Sequence, residues 1–345
     1  MDDLEIKLTA FTTSGGCGCK LAPGELSELL RGKTFADAEK GLWVGNSNSD
    51  DAAVIELPDG SGLISTVDFF TPVVDDPFDF GCVSAANALS DVYAMGGNPV
   101  LALAVLGWPT DKIPLSYAGK VLEGALKITG LAGVPLGGGH TIEAPEPFFG
   151  LSVNGLVSRS NLKRNNTPNE NDLIFLTKPL GTGILSTALK RGLVDLEIFR
   201  TCLNSMCLLN ETGRELGALS GVSAMTDVSG FGLLGHLFEM TRERKLGAEL
   251  FKDKIPVFPG VSDLTKNMVY PDATFRNWKA VSHLAKGVDP SWLLILSDPQ
   301  TSGGLLFTAP EQGSKPIREL LESKGLNSEP IGRILSSTPP RFTLI

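Results

Sequence analysis

Two runs that alternate apolar and polar positions, Ala52-Ala53-Val54-Ile55-Glu56-Leu57 and Leu63-Ile64-Ser65-Thr66-Val67-Asp68-Phe69-Phe70, flank Pro58-Asp59-Gly60. β-Branched and aromatic runs on either side of Asp-Gly predict a hairpin. A two-residue Asp59-Gly60 loop sets Asp51 opposite Asp68. Cβ atoms there stand roughly 4.5–5.5 Å apart, and two carboxylates repel unless a cation or a shared proton intervenes. Pro58 can shift that register, and two acids fraying at the open end of the hairpin is the alternative. Next, Ser84 to Met95 has the period of a helix, ended by Gly96-Gly97 and Pro99. Its narrow polar side carries Ser84, Asn87 and Asp91. An acid in the last turns opposes the helix dipole, so Asp91 reads either as a metal ligand or as part of a solvated face. A buried strand over Pro99–Leu106, a helix over Tyr117–Leu131 and a strand over Phe148–Val157 follow.

The polar segment 158–171 is the candidate joint between two domains. Beyond it, Asp172–Thr177 reads as a strand running through Lys178-Pro179-Leu180-Gly181-Thr182-Gly183 into a helix. That turn lacks the Gly-Lys-Ser/Thr ending of a Walker A loop and is at most a weak anion site. Ser223–Asp227 predicts a strand that places Asp227 at its end, before Ser229-Gly230-Phe231-Gly232 and a helix from Leu233. Trp292–Ser297 and Gly304–Thr308 read as two strands around the polar loop Asp298–Gly303. Gly137-Gly138-Gly139-His140-Thr141 reads as a glycine turn, either ordinary or one whose N–H groups approach an anion. There is no strict internal repeat, although both halves mix strands and helices.

A chain of 345 residues, 42% hydrophobic, accommodates two domains with a core each. Neither a secretory leader nor an apolar run of ~20 residues is present, so a cytoplasmic protein without membrane contact is expected. Net charge −9 without a basic stripe argues against nucleic acid. Five scattered cysteines predict reduced thiols. Residues 1–21 contain Ser14-Gly15-Gly16-Cys17-Gly18-Cys19-Lys20, too glycine-rich to hold an element or enter a core. They read as a mobile arm, tethered to a helix from Pro23, that closes over something. Lys20 is near enough to Cys17 to lower the thiol pKa and to contact a phosphate. A disordered tail with incidental thiols is the alternative. Asp51, Asp68, Asp91 and Asp227 stand at element ends or on a lone polar helix side. Magnesium, which takes oxygen ligands and bridges carboxylates to phosphates, explains them. The Cys-x-Cys pair with His140, His236 and His283 lacks a zinc spacing.

These stretches together resemble the selenophosphate synthetase (selenide, water dikinase) family. The resemblance runs from Gly15-Gly16-Cys17-Gly18-Cys19-Lys20 through Gly45–Asp51, Thr66–Phe70, Asn87–Gly97 and Gly138–Ile142 to Thr226–Gly232 and Pro299–Gly304. The Cys-Gly-Cys-Lys arm is the specific element. The aspartates are shared with the wider aminoimidazole ribonucleotide synthetase superfamily, including thiamin-phosphate kinases, which do not need Cys17. A sensor that keeps the fold without turnover is a reading of another class. The resemblance implies conversion of ATP, selenide and water to selenophosphate, AMP and orthophosphate with Mg²⁺. It implies a two-domain α/β fold of the α+β type, like aminoimidazole ribonucleotide synthetase, divided into the arm 1–21, an ATP- and Mg-binding domain 22–158 and an α/β domain 172–345. The N-terminal sheets would pair across a homodimer. By resemblance, Cys17 and Lys20 are the essential pair and Asp51, Asp91 and Asp227 bind metal. Lys20, Asn48, Ser49, Asp50, Asp68, Asp91, Gly139, His140 and Thr141 match the nucleotide-binding stretches.

Overall fold

The structure, a computed structural model, describes residues 6–13, 15–21, 23–33, 41–46, 49–336 and 341–345. After the N-terminal segment and a short helix α1 (Pro23–Leu30), strands β1 (Leu42–Val44), β2 (Ala53–Glu56), β3 (Gly62–Phe70), β4 (Asn98–Trp108), β5 (Leu136–Glu143) and β6 (Phe148–Val157) form one sheet. Its order is β1-β2-β3-β6-β4-β5, antiparallel except for the parallel β4–β5 pair. Helices α2 (Pro77–Ala94) and α3 (Leu115–Leu131) pack together on one face of it.

The β2–β3 hairpin forms with a three-residue loop. Leu57 and Ser61 close it, Gly60 N–H donates to the Leu57 carbonyl, and Gly60 has φ 81°. Pro58 takes the second position of the turn and the left-handed glycine ends it, a common three-residue hairpin geometry. Glu56 therefore pairs with Gly62 and Ala53 with Ser65. The register is one residue away from the two-residue expectation, so Asp51 is not directly opposite Asp68.

The helix predicted from Ser84 begins at Pro77, where the Asp76 side chain accepts from Asp79 N–H. It is buried on nearly every side because the second half of the chain packs against the side left free by the sheet. Ser84, Asn87 and Ser90 are buried, so the polar side faces the protein interior and not solvent.

The second sheet contains β7 (Leu173–Leu176), β8 (Ala224–Asp227), β9 (Leu246–Leu250), β10 (Ala285–Lys286), β11 (Leu305–Ala309), β12 (Gly332–Ser336) and β13 (Phe342–Leu344) in the order β10-β13-β9-β12-β7-β11-β8. Around it run α4 (Thr182–Lys190), α5 (Leu196–Cys207), α6 (Thr212–Ala218), α7 (Gly232–Arg242), α8 (Val261–Lys266), α9 (Asp272–Val281), α10 (Pro290–Leu296) and α11 (Ser314–Ser323). The Trp292–Ser297 segment, expected as a strand, belongs to α10. Asp289 caps it by accepting from Trp292 N–H at 3.1 Å, with Pro290 in the first turn. The glycine triplet, expected as a turn, lies in the edge strand β5, whose residues from Gly137 to Glu143 are exposed. Among the described residues no helix is long and apolar enough to cross a membrane.

Candidate active site

The seam between the two sheets is where the acidic residues meet. Asp68 on β3 accepts Nζ–H of Lys20 at 2.7 Å and Nδ2–H of Asn87 at 2.8 Å on the same oxygen. Asp91, in the last turn of α2, accepts from the Thr66 hydroxyl at 2.6 Å. Asp227, at the end of β8, accepts from the Ser90 hydroxyl, and Asp51 from the Thr226 hydroxyl, each at 2.6 Å. Burial pushes the carboxyls of Asp51, Asp91 and Asp227 upward. Asp227 further raises both Asp51 and Asp91. The second oxygen of Asp51 is buried without a partner.

The glycine-rich run, expected to stay out of the core, is docked into this seam. Gly16 to Cys19 form a 3₁₀ turn, and Cys17 is 1% exposed. Gly16 N–H donates to the Thr71 carbonyl at 2.9 Å, and Cys17 N–H to Oγ1 of Thr301 at 3.1 Å. The Cys17 thiol donates to Oδ1 of Asn87 at 3.3 Å. Such closeness depends on missing side chains. A Cβ at Gly15 would stand 2.5 Å from the Pro72 carbonyl oxygen, and one at Gly16, whose φ is 59°, would collide with Oγ1 of Thr301. Burial raises the thiol pKa and outweighs the ammonium of Lys20, which pulls it down, so the expected lowering by Lys20 does not prevail. Burial also opposes the charge on Lys20, but Asp68, Cys17 and Asp91 together hold its pKa well above the ordinary lysine value.

Two matched family models cover most of this chain: the N-terminal domain of AIR synthase related proteins over residues 49–157, and the C-terminal domain over 169–344. A selenide, water dikinase of Colwellia psychrerythraea is 43% identical over 99% of both chains. One of Bordetella bronchiseptica is 44% identical over 97% of both. The chain belongs to the selenide, water dikinase family. It is therefore an ATP-dependent enzyme with a mixed α/β fold of two AIR synthase related domains. Among solved structures, the thiamine-monophosphate kinase of Stenotrophomonas maltophilia superposes with TM-score 0.66 at 22% identity, covering 92% of this chain and 93% of that one. That of Aquifex aeolicus gives 0.64 at 16%, covering 93% and 94%. At these identities the likeness is one of fold.

Within the selenide, water dikinase frame, the structure brings Cys17, Lys20, Asp51, Asp68, Asp91 and Asp227 together. Ser49 and Asp50 are engaged elsewhere. Asp50 accepts from Asn165 N–H at 2.7 Å, the Ser49 carbonyl accepts from the Asn165 amide at 2.8 Å, and the Ser49 hydroxyl accepts from Arg242 at 3.1 Å. Gly139, His140 and Thr141 lie on the exposed edge strand β5. Asn48 lies outside the described residues, as does Ser14 of the arm. Sequence reasoning left unassigned the neutral side chains that orient the acids and the thiol: Thr66, Asn87, Ser90, Thr226 and Thr301. Asn87 carried a signal, because it stands one turn before Asp91 on the same side of α2. Among the described residues, no three His, Cys, Asp or Glu side chains stand grouped so that they alone could hold a metal ion.

Proposed function

We propose that this member of the selenide, water dikinase family converts ATP, selenide and water to selenophosphate, AMP and orthophosphate at the seam, with residues 1–21 as a closing arm, 22–158 as the nucleotide-binding domain and 172–345 as the domain that completes the site. The observation that carries the reading is the docking of the arm. It delivers a thiol and an ammonium to a buried cluster of carboxylates through Cys17–Asn87 and Lys20–Asp68. Asp51, Asp91 and Asp227 suit Mg²⁺, because they are hard oxygen donors that destabilise one another and one buried oxygen of Asp51 has no partner. Mg²⁺ held there would keep coordination places for water and phosphate oxygens. When bound, Mg²⁺ supplies charge neutralisation for the phosphates.

Lys20 is the cation on the arm that would exchange Asp68 for a phosphate oxygen as nucleotide enters. Its raised pKa keeps it protonated for that contact. Cys17 handles the selenium. In the docked arm its thiol is neutral and shielded from water, which protects a reactive intermediate. Ser49, Asp50 and, on β5, Gly139, His140 and Thr141 join Lys20, Asp68 and Asp91 as nucleotide contacts. ATP binding is also supported by a hydrogenase maturation protein of this fold, TM-score 0.60, solved in complex with ATP. A homodimer is supported by the uncovered face of the first sheet, where Val67, Phe69, Leu101, Leu103 and Ile142 are exposed. Five free cysteines fit the cytoplasm.

The test is product stoichiometry. Purified protein with ATP, Mg²⁺ and selenide should release AMP and orthophosphate in step and give a phosphorus NMR signal for selenophosphate. ADP as the final product overturns the reading. Cys17→Ser should abolish selenophosphate formation while nucleotide binding survives.

A further inference from the structure

Behind the docked arm lies a cleft of about 320 Å³ between the arm, α4 and α9. Among its lining residues are Gly18, next to Cys17 in the chain, Gly15, two residues before it, and Thr301, whose hydroxyl accepts from Cys17 N–H. Cys17, Lys20 and the clustered carboxylates do not line it, so the glycine backbone of the arm separates the cleft from the carboxylate side of the seam. Three cations line the cleft, Lys190, Arg191 and Arg276, against one acid, Asp272. In a chain of net charge −9, that is a local reversal of sign. Two of the cations also hold the arm: Lys190 donates to the Thr12 carbonyl at 2.7 Å and Arg276 to the Gly18 carbonyl at 3.0 Å. Arg191, at the C-terminal end of α4, has no acceptor among the described residues.

We propose that this cleft is the vestibule that gathers the hydroselenide anion beside the arm, on the side away from the nucleotide. The inference rests on selenide being the substrate. Hydrogen selenide is a stronger acid than a thiol and exists at neutral pH as a small monoanion. A positive cleft in an acidic protein concentrates such an ion. The cleft is several times larger than the ion, so recognition is by field and not by a fitted socket. The effect therefore falls on selenide capture and weakens with salt. The carboxylate cluster repels the same anion, which gives a reason for two substrates of like charge to arrive by opposite sides. Gly15 and Gly18 of the arm, with Thr301, line the cleft next to Cys17, so a small displacement of the arm would join the gathered anion and the thiol.

The experiment is anaerobic steady-state kinetics on the full chain, with selenide and ATP varied independently at low and high ionic strength. Arg191→Glu is the probe, because Arg191 is exposed and holds neither the arm nor any described acceptor. It should raise KM for selenide about 3- to 10-fold at low salt, leave kcat and KM for ATP within about twofold, and shrink the salt dependence of KM for selenide. Arg191→Lys should restore the parent values. An active parent whose KM for selenide is unmoved by Arg191→Glu, or moves equally with that for ATP, overturns the vestibule alone. A parent that forms no selenophosphate overturns the activity beneath it.

Discussion

Asn87 joins three parts of the site with one amide. Its Nδ2–H donates to Asp68, while its Oδ1 accepts from the Cys17 thiol and from Ser302 N–H at 2.8 Å. Asn87→Ala leaves a buried N–H unpaired, a loss of about 1–3 kcal/mol, and removes the acceptor that holds the thiol. A lower melting temperature and faster alkylation of Cys17 by iodoacetamide are expected; an unchanged alkylation rate would show that Asn87 does not hold the arm. The acids at this site were legible because a carboxylate at a strand end or on a lone polar helix side conflicts with its surroundings. Thr301 and Ser302 were not, because the groups they hold, Cys17 N–H and Asn87 Oδ1, lie more than 200 residues away in sequence and a neutral polar residue conflicts with nothing locally. Asp298 makes the same point. It accepts from Gly183 N–H and Ile184 N–H, yet burial pushes its carboxyl up to about 7. Since the folded state holds that proton more tightly than the unfolded chain, the group contributes most stability below pH about 4, and the contribution is lost as pH rises to about 7. Asp298→Asn should flatten the fall of the urea midpoint across that window. An identical slope in parent and variant would refute the assignment.

The arm is the element whose sequence reading changed most. Its glycines suggest freedom, but Gly15 and Gly16 are needed for close approach in the docked state, so the same residues serve both states. Docking is held from the second half of the chain by Arg276 on α9 and Thr301. Arg276→Ala should therefore speed Cys17 alkylation several-fold and, unlike Gly16→Ala, leave no steric block to redocking. If the two variants expose the thiol equally, close approach is not what the glycines provide. Other elements were readable to the extent that periodicity distinguishes them. The hairpin was found and its register missed by one, because Pro58 adds a residue to the loop that Asp-Gly alone does not reveal. α10 was missed because Trp292-Leu293-Leu294-Ile295-Leu296 is apolar throughout and has no period; the Asp289-Pro290 cap ahead of it was the available signal.

At the scale of the whole molecule, the two mixed halves could be inferred from composition and the polar segment after Val157, whereas their packing through α2 could not. A helix buried on nearly every side reads in sequence like one with a wide apolar face. The remaining asymmetry lies in the first sheet, which has α2 and α3 on one face and solvent on the other. Along the uncovered face, Val67 and Leu103 flank Ser152 in register, and Phe69 contacts Phe148 with ring centroids 5.4 Å apart, so the exposed apolar residues share one face of the sheet. An apolar face of this kind marks an interaction surface, and in the proposed homodimer the equal face of a second copy would cover it. Leu103→Glu places a carboxylate within that face, away from the carboxylate cluster. Sedimentation equilibrium should find the parent at twice the 36.6 kDa chain mass and Leu103→Glu at the chain mass. Because Gly139, His140 and Thr141 lie on the edge strand of the same sheet, the monomeric variant should also bind ATP more weakly, by about tenfold or more if the loss of those contacts costs about 1.4 kcal/mol. A variant that remains dimeric would place the interface elsewhere, and a monomer with undiminished ATP affinity would separate β5 from the nucleotide site.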